Sequence, residues 1–414
     1  MLERFIRKPL TLQSFGACPL GPYLDSFAGS LQDLGYATST ARSQLQLLAD
    51  FGRWLIEGKV RVADLDGKVV DLFADERRHQ GRLRRGQFHT LCRFLEHVRT
   101  QGIIPPAQVS LQESPLAELE CRYESYLRVE RGLTGATVEN YRPFVHRFVV
   151  DRFGDGPIFL KELGPSDIAR FVLRHAYAAS PGRAKLMVTA LRSFLRFLLQ
   201  RGEIDVDLAI SVPPVADWRL SSVPKYLEFG EVEQLLATCE RSRPTGRRDY
   251  AILLLLARLG LRAGEVVALE LDDIDWRASE LMVRGKGLVH QRVPLLADVG
   301  EALAAYLRQD RPSCNTRRVF IQMKAPRRGF AGPSTVDTIV RRALERADLH
   351  PPLKGAHLLR HSLATGMLRR GASMAEIGQV LRHRAPATTE IYAKVDIGGL
   401  RSLAQPWPGN GGEQ

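Results

Sequence analysis

The sequence predicts a mainly α-helical chain interrupted by one small β element, and three observations carry that prediction. Apolar residues recur every three or four positions through much of the chain, as in Leu24, Phe27, Leu31 and Leu34, which is the period of a helix with one buried face. A helical unit in the N-terminal half occurs twice. One stretch, Leu281-Met282-Val283-Arg284-Gly285-Lys286-Gly287-Leu288-Val289-His290-Gln291-Arg292-Val293-Pro294-Leu295, reads instead as two β-prone runs around a glycine-flanked turn, a hairpin.

Taken in order, residues 1–20 form an N-terminal extension. Residues 21–105 read as a first helical unit, with Leu24, Phe27, Leu31 and Leu34 on one helix face. Residues 114–204 read as a second, in which Val138, Tyr141, Val145 and Phe148 repeat those steps. The two align: Gly35 to Thr40 matches Gly132 to Thr137 and Phe51 matches Phe148, both at an offset of 97 (Gly35 to Gly132). Leu91, Phe94, Leu95, Gly102 and Ile104 match Leu191, Phe194, Leu195, Gly202 and Ile204 at an offset of 100 (Leu91 to Leu191), a drift that small indels explain. Residues 205–227 carry Pro213, Pro214 and Pro224 without periodicity and read as a linker. Residues 228–404 form a third, mostly helical domain that holds the hairpin, and 405–414 are a tail.

The chain has 414 residues and a formal charge of +13, long enough for two or three domains and basic enough to favour a polyanionic partner. The charge gathers in three places: Arg77, Arg78, Arg82, Arg84 and Arg85; Arg183, Lys185, Arg192, Arg196 and Arg201; and Arg369, Arg370, Arg382 and Arg384. Each cluster reads either as a solvated face or as a contact to phosphate, and phosphate contacts would make affinity fall steeply with salt. The five cysteines, Cys18, Cys92, Cys121, Cys239 and Cys314, are odd in number and lack a Cys-x-x-Cys pair. Neither a disulfide framework nor a metal site is expected. The longest aliphatic run, Ala251 to Ala257, is too short to span a bilayer, and no leader pattern opens the chain, so a cytoplasmic protein without a membrane partner is expected.

Chemistry concentrates near the C-terminus. His357-Leu-Leu-Arg360-His361 is followed by Leu381-Arg382-His383 and Thr388-Thr389-Glu390-Ile391-Tyr392, and preceded by Gly260-Leu261-Arg262-Ala263-Gly264-Glu265 and by Lys286 in the hairpin. This set suits breaking a phosphodiester through a tyrosine. The diester is an anion that repels nucleophiles, and a phenol with a pKa of about 10 is protonated at neutral pH. Arg262 and Arg360 offer planar, permanently charged forks for the non-bridging oxygens. Tyr392 is the candidate nucleophile, and Lys286 the candidate acid for the departing 5′-oxygen. His357 and Arg360, three apart, share a helix face.

The ordered series Arg262, Lys286, His357-x-x-Arg360, His383, Tyr392 resembles the tyrosine recombinase (phage integrase) family, with specific motifs from Arg262 to Tyr392. The resemblance implies a SAM-like core-binding domain over 114–204, notably in Tyr126-Leu127-Arg128-Val129-Glu130-Arg131-Gly132-Leu133, and a second domain of that type over 21–105. It implies a catalytic domain over 228–404 whose hairpin tip reaches into the DNA groove. It makes His357 the proton acceptor from Tyr392, His383 a hydrogen-bond partner of the phosphate, and Glu265 an orienting group. It also implies double-stranded DNA as partner, a homotetramer on two DNA sites, helper proteins from host or element, a 3′-phosphotyrosine intermediate, and no metal or cofactor. Candidate DNA contacts are Arg82, Arg84, Arg85, Arg183, Lys185 and Arg192. Two positions depart from the pattern: Arg382 stands where relatives commonly have glycine, and Lys394 where many have histidine. The first bears on the backbone path beside His383, because glycine permits conformations that arginine avoids. Integration or excision of a mobile element is the setting the family suggests. Topoisomerase-like relaxation and a non-catalytic DNA-binding factor are the rival readings.

Overall fold

The computed structural model describes residues 1–6, 9–16, 18–106, 114–154, 156–215, 223–285, 290–395 and 401. The chain falls into two compact units, Met1–Pro105 with Ser222–Gln414, and Pro106–Ser221.

The first unit opens with α1 (Leu2–Phe5), α2 (Pro9–Gly16), α3 (Gly21–Asp33), α4 (Thr38–Glu57), α5 (Gly67–His79) and α6 (Gln87–Thr100). Leu24, Phe27 and Leu31 share one apolar core with Leu48, Phe51, Phe73 and Phe94. Residues 1–20, read as an extension, contribute Phe5, Ile6, Phe15, Cys18 and Leu20 to that core. Short helices cannot stand alone in water, so α1 and α2 take their stability from α3 and α4.

The second unit repeats this order with α7 (Pro115–Ser125), α8 (Gly135–Phe153), α9 (Pro165–Ala176) and α10 (Pro181–Gln200). Between their second and third long helices both bundles carry a 3-10 turn, Val62–Asp64 in one and Leu160–Glu162 in the other. Gly35 and Gly132 (φ 74° and 60°) and Gly102 and Gly202 (φ 71° and 69°) take the left-handed conformation at matching helix ends, where a Cβ would be strained. The segment read as a linker is partly folded. Leu208–Ser211 form a 3-10 turn packed on α10, and Leu208, Ala209 and Val212 join the second unit's core. Prolines remove helical periodicity there, but isolated apolar side chains still find burial.

The C-terminal part of the first unit contains α11 (Phe229–Ala237), α12 (Pro244–Leu259), α13 (Ala263–Ala268), β1 (Ile274–Asp275), β2 (Glu280–Arg284), β3 (His290–Pro294), α14 (Ala297–Gln309), α15 (Pro333–Arg346), α16 (Ala356–Arg369) and α17 (Met374–Val380). Helix α12 is the axis. Ala251 to Leu256 are all buried, and α11, α13, α14, α15 and α16 pack around the helix, which is why its run from Ala251 to Ala257 is apolar on every face. The strands form an antiparallel sheet in the order β1-β2-β3, with Leu281 opposite Val293 and Arg284 opposite His290. Residues 286–289, at the tip of the expected hairpin, lie outside the described residues. After α17 come the 3-10 turns Pro386–Thr388 and Glu390–Val395. Their anchor is a small apolar cluster of Ala364, Ile377, Leu381 and Tyr392. No helix among the described residues is long and apolar enough to cross a membrane.

Candidate active site

The site is assembled where α12 ends, α13 begins and one face of α16 passes beneath both. Gly260 closes α12 with φ 57°, and a Cβ there would lie 2.8 Å from Leu381 Cδ2 and 3.0 Å from Leu363 Cδ2. Glycine therefore serves both the turn and the close approach. The turn delivers Arg262 to the N-cap of α13. Its backbone N–H donates to Glu265 Oε2 (2.9 Å) and its Nη1 to Glu265 Oε1 (2.6 Å). Glu265 is buried. Burial alone would raise its pKa, but the Arg262 backbone N–H, the Arg382 cation and the Arg262 guanidinium together hold it below the usual carboxylate range.

Arg360, on α16, is 3% exposed and donates through Nη1 and Nη2 to the carbonyls of Gly260 and Leu381. Burial, then the neighbouring Arg262 and Arg382 cations, push its pKa down to about 10, which leaves it charged at neutral pH. Tyr392 is 1% exposed, and its hydroxyl lies 2.9 Å from Nδ1 of His361. Burial pushes the phenol up to about 12 against the pull of Arg360 and Arg262. His361 is pushed down to about 4 by burial, then by His357 and Arg360, so it is neutral near pH 7 and Nδ1 can accept from the phenol. The imidazole hydrogen-bonded to Tyr392 is thus His361, with the His383 ring stacked parallel to the phenol at 6.5 Å, whereas the sequence reading singled out His357 as the proton acceptor. The ring of His357 is centred 6.3 Å from that of His361, and no described hydrogen bond joins His357 to Tyr392. The available signal was spacing: 357 and 361 are four apart and share a helix face as 357 and 360 do.

His383 follows α17 and hydrogen-bonds through Nδ1 to Thr389 Oγ1 (2.8 Å). Burial, then Arg360, Arg262, Arg382 and His361, push its pKa down to about 4. Arg382, counted in sequence among the surface cations, has φ 56° and a side chain only 6% exposed. The backbone there keeps the left-handed path that glycine would favour, with an arginine in it. A cavity of about 320 Å³ opens above, lined by Arg262, Glu265, Arg382, His383, Arg384 and Thr388 among others. Lys286 lies outside the described residues. Of the residues singled out, Arg262, Glu265, His357, Arg360, His383 and Tyr392 gather here; burial, then the Arg360 cation, lower the pKa of His357.

The basic candidates elsewhere behave differently. Arg82, Arg84 and Arg85 are exposed just before α6, and Arg82 and Arg84 line a cavity of about 590 Å³ with Ser39, Arg42 and Arg77. Arg183 and Lys185 are exposed on α10, with Arg183 over the Phe144 ring at 5.5 Å. Arg192 turns inward and donates to the Val212 carbonyl (2.8 Å).

Comparison with known proteins agrees with this architecture. Residues 225–397 match the phage integrase family and 121–202 the phage integrase N-terminal SAM-like domain. A Sinorhizobium fredii protein named "Putative integrase/recombinase y4rA" is 44% identical over 411 residues, covering 99% of each chain. "Tyrosine recombinase XerD" of Mycobacterium tuberculosis is 32% identical over 305 residues, covering 69% of this chain and 95% of its own. Among solved structures, the XerH site-specific recombinase bound to palindromic difH substrate in a post-cleavage complex has the same fold, at TM-score 0.55 and 19% identity over 76% of this chain and 94% of that one. With a relative this similar along the whole length, the chain belongs to the tyrosine recombinase, or phage integrase, family of site-specific recombinases.

Proposed function

We propose that this recombinase cleaves and rejoins double-stranded DNA through Tyr392, with Arg262 and Arg360 as phosphate-binding cations, His383 as a hydrogen-bond donor to the phosphate, Glu265 as the group that orients Arg262, and Lys286 as the acid. The reading rests on one observation: a buried phenol held by a neutral imidazole beside a pocket floored by guanidiniums. The Tyr392 oxygen attacks phosphorus, the P–O bond to tyrosine forms and the P–O5′ bond breaks. The phenol proton passes to an imidazole. The hydrogen bond favours His361 for that role, and the family resemblance offers His357. Lys286 gives its proton to the departing 5′-oxygen. A 5′-hydroxyl from the partner duplex then reverses the step and frees Tyr392. Bond energy is conserved in the phosphotyrosine, so the scheme calls on no metal or cofactor.

Fixed cations facing developing charge account for a large part of such catalysis, and a diester anion seated among them offsets part of the field that depresses His361. The domain reading follows: residues 114–204 as the core-binding domain, 21–105 as an additional DNA-binding-like arm offering Arg82, Arg84 and Arg85, and Arg183 and Lys185 as contacts of the second bundle. Arg192, tied to Val212, is the weakest of these contacts. Four protomers on two DNA sites, with host or element helper proteins, are the proposed assembly, acting in integration or excision of a mobile element.

The test uses supercoiled DNA carrying the ends of the chain's own element. Wild-type protein is expected to give covalent adducts and recombinants, and Tyr392→Phe is expected to lose adducts while binding DNA with nearly unchanged affinity. Adducts with relaxation and no recombinants would favour the topoisomerase-like reading. DNA binding without adducts would favour an accessory factor, and adducts that survive Tyr392→Phe would overturn the assignment of the nucleophile.

A further inference from the structure

Arg382 carries three local costs that glycine would avoid. Its φ of 56° is left-handed, its guanidinium is buried, and its Nε–H finds no acceptor among the described residues. A non-glycine residue is disfavoured there by Cβ sterics, and a buried donor without a partner is destabilising. Against these costs stand four hydrogen bonds. Nη1 donates to the carbonyls of Leu259 (3.2 Å) and Val380 (3.0 Å), and Nη2 to the carbonyl of Gly260 (3.2 Å) and to Glu265 Oε2 (3.2 Å). The Arg382 carbonyl in turn accepts from Arg262 Nη2 (3.5 Å). One side chain therefore joins the end of α12, the end of α17 and the carboxylate that holds Arg262.

We propose that Arg382 is a positioning residue of the cleavage site, a buried strut that locks the turn bearing His383 onto the end of α12 and shares Glu265 with Arg262. The inference rests on the reading of this pocket as the DNA-cleaving site. Glu265 Oε2 is divided between the Arg262 backbone and Arg382, while Oε1 and the Arg382 carbonyl each take one Arg262 guanidinium donor and leave the others for a phosphate. Arg382 also adds a third cation to Arg262 and Arg360 over a single carboxylate, which raises the net positive charge under the cavity. A lysine cannot reproduce this: it lacks the planar fork that meets three carbonyls and a carboxylate at once.

The experiment is single-turnover cleavage of a nicked suicide substrate by the full chain, followed against pH, with DNA affinity and thermal unfolding measured in parallel. Arg382→Gly keeps the left-handed turn and removes the fork. It is expected to bind DNA within about threefold of wild type and to cleave about ten- to a hundredfold more slowly, the scale on which small misplacements of reacting groups act. Arg382→Lys is expected to fall in the same range. Arg382→Asn, which also tolerates the turn, serves if the glycine variant does not fold. A passive structural role would not move the pH profile. Glu265 faces Arg262 and Arg382, and His383 faces Arg360, Arg262, Arg382 and His361. Removing the Arg382 cation lets both groups protonate at higher pH, so the acid limb of the rate profile should move upward. Wild-type cleavage by Arg382→Gly with an unchanged acid limb, or full rescue by Arg382→Lys, would overturn the proposal. If wild-type protein forms no adduct at all, the cleavage reading fails, and the strut proposal falls with it.

Discussion

Arginine serves two opposite purposes in this chain. Beneath the catalytic pocket, Arg360 and the side chain of Arg382 are 3% and 6% exposed and are fixed by carbonyls and Glu265. At the corner of the N-terminal bundle, Arg82, Arg84 and Arg85 stand in solvent, beside an Arg77 that is tied to Asp50 (3.3 Å). A guanidinium withdrawn from water keeps one orientation and its field is weakly screened, whereas one in water is screened over about 8–10 Å at physiological salt. The first arrangement suits charge that develops at one atom during a reaction. The second suits affinity for a long polyanion. Counting basic residues in the sequence gives both groups equal weight.

The contrast breaks first, and with the largest effect, at Arg360. Arg360→Ala is expected to slow single-turnover adduct formation by about a hundred- to a thousandfold, the usual result of removing one fixed donor from a developing oxyanion. It also strands the Leu381 carbonyl, at a cost of about 1–3 kcal/mol if no water replaces the bond, while the Gly260 carbonyl keeps its bond from Arg382, so the unfolding midpoint should fall as well. Arg360→Lys should restore little, because one ammonium cannot bridge two carbonyls and a phosphate. Near-normal cleavage by the lysine variant, measured by trapped adducts, would remove the distinction between deep and exposed cations at this position.

A smaller effect is expected from Arg82→Ala, Arg84→Ala and Arg85→Ala combined. If all three meet phosphate, the slope of log affinity against log salt should become shallower by about 2.7, near 0.9 for each lost contact. Cleavage of DNA already bound should stay at the wild-type rate. An unchanged salt slope in a filter-binding titration would assign this corner to solvent alone. Slower cleavage of bound DNA would give it a role the comparison denies.

The two environments also mark where sequence reading works and where it stops. The helical stripe Leu24, Phe27 and Leu31 and the β-prone runs that became β2 and β3 are local patterns, set by residues a few positions apart, and the fold follows them. Arg382 looked like its neighbour Arg384, because only tertiary packing brings it to Glu265, 117 positions away. His361 was visible in the quoted motif, but its partner Tyr392 arrives 31 positions later on a 3-10 turn that leaves no periodic trace. The first twenty residues hid their core contacts for a related reason: helices of 4 and 8 residues are too short to show a stripe.

The smallest expected effect concerns the histidines that these cations surround. His361 and His383 are each lowered from 6.5 to about 4, so between those values the unfolded chain binds protons that the folded chain refuses. Their contribution to stability is complete above about pH 6.5 and is lost as pH falls toward 4. The unfolding midpoint, followed by circular dichroism, should therefore be level near neutrality and decline through that window. His383→Asn keeps a polar group beside Thr389 but removes one titrating ring. Its curve should be flatter from pH 6.5 to 4, by an amount smaller than full burial would give, since His383 is only partly buried. A variant curve parallel to wild type would mean that His383 titrates alike in both states, and that neither its burial nor the field of Arg360, Arg262 and Arg382 lowers it in the folded chain.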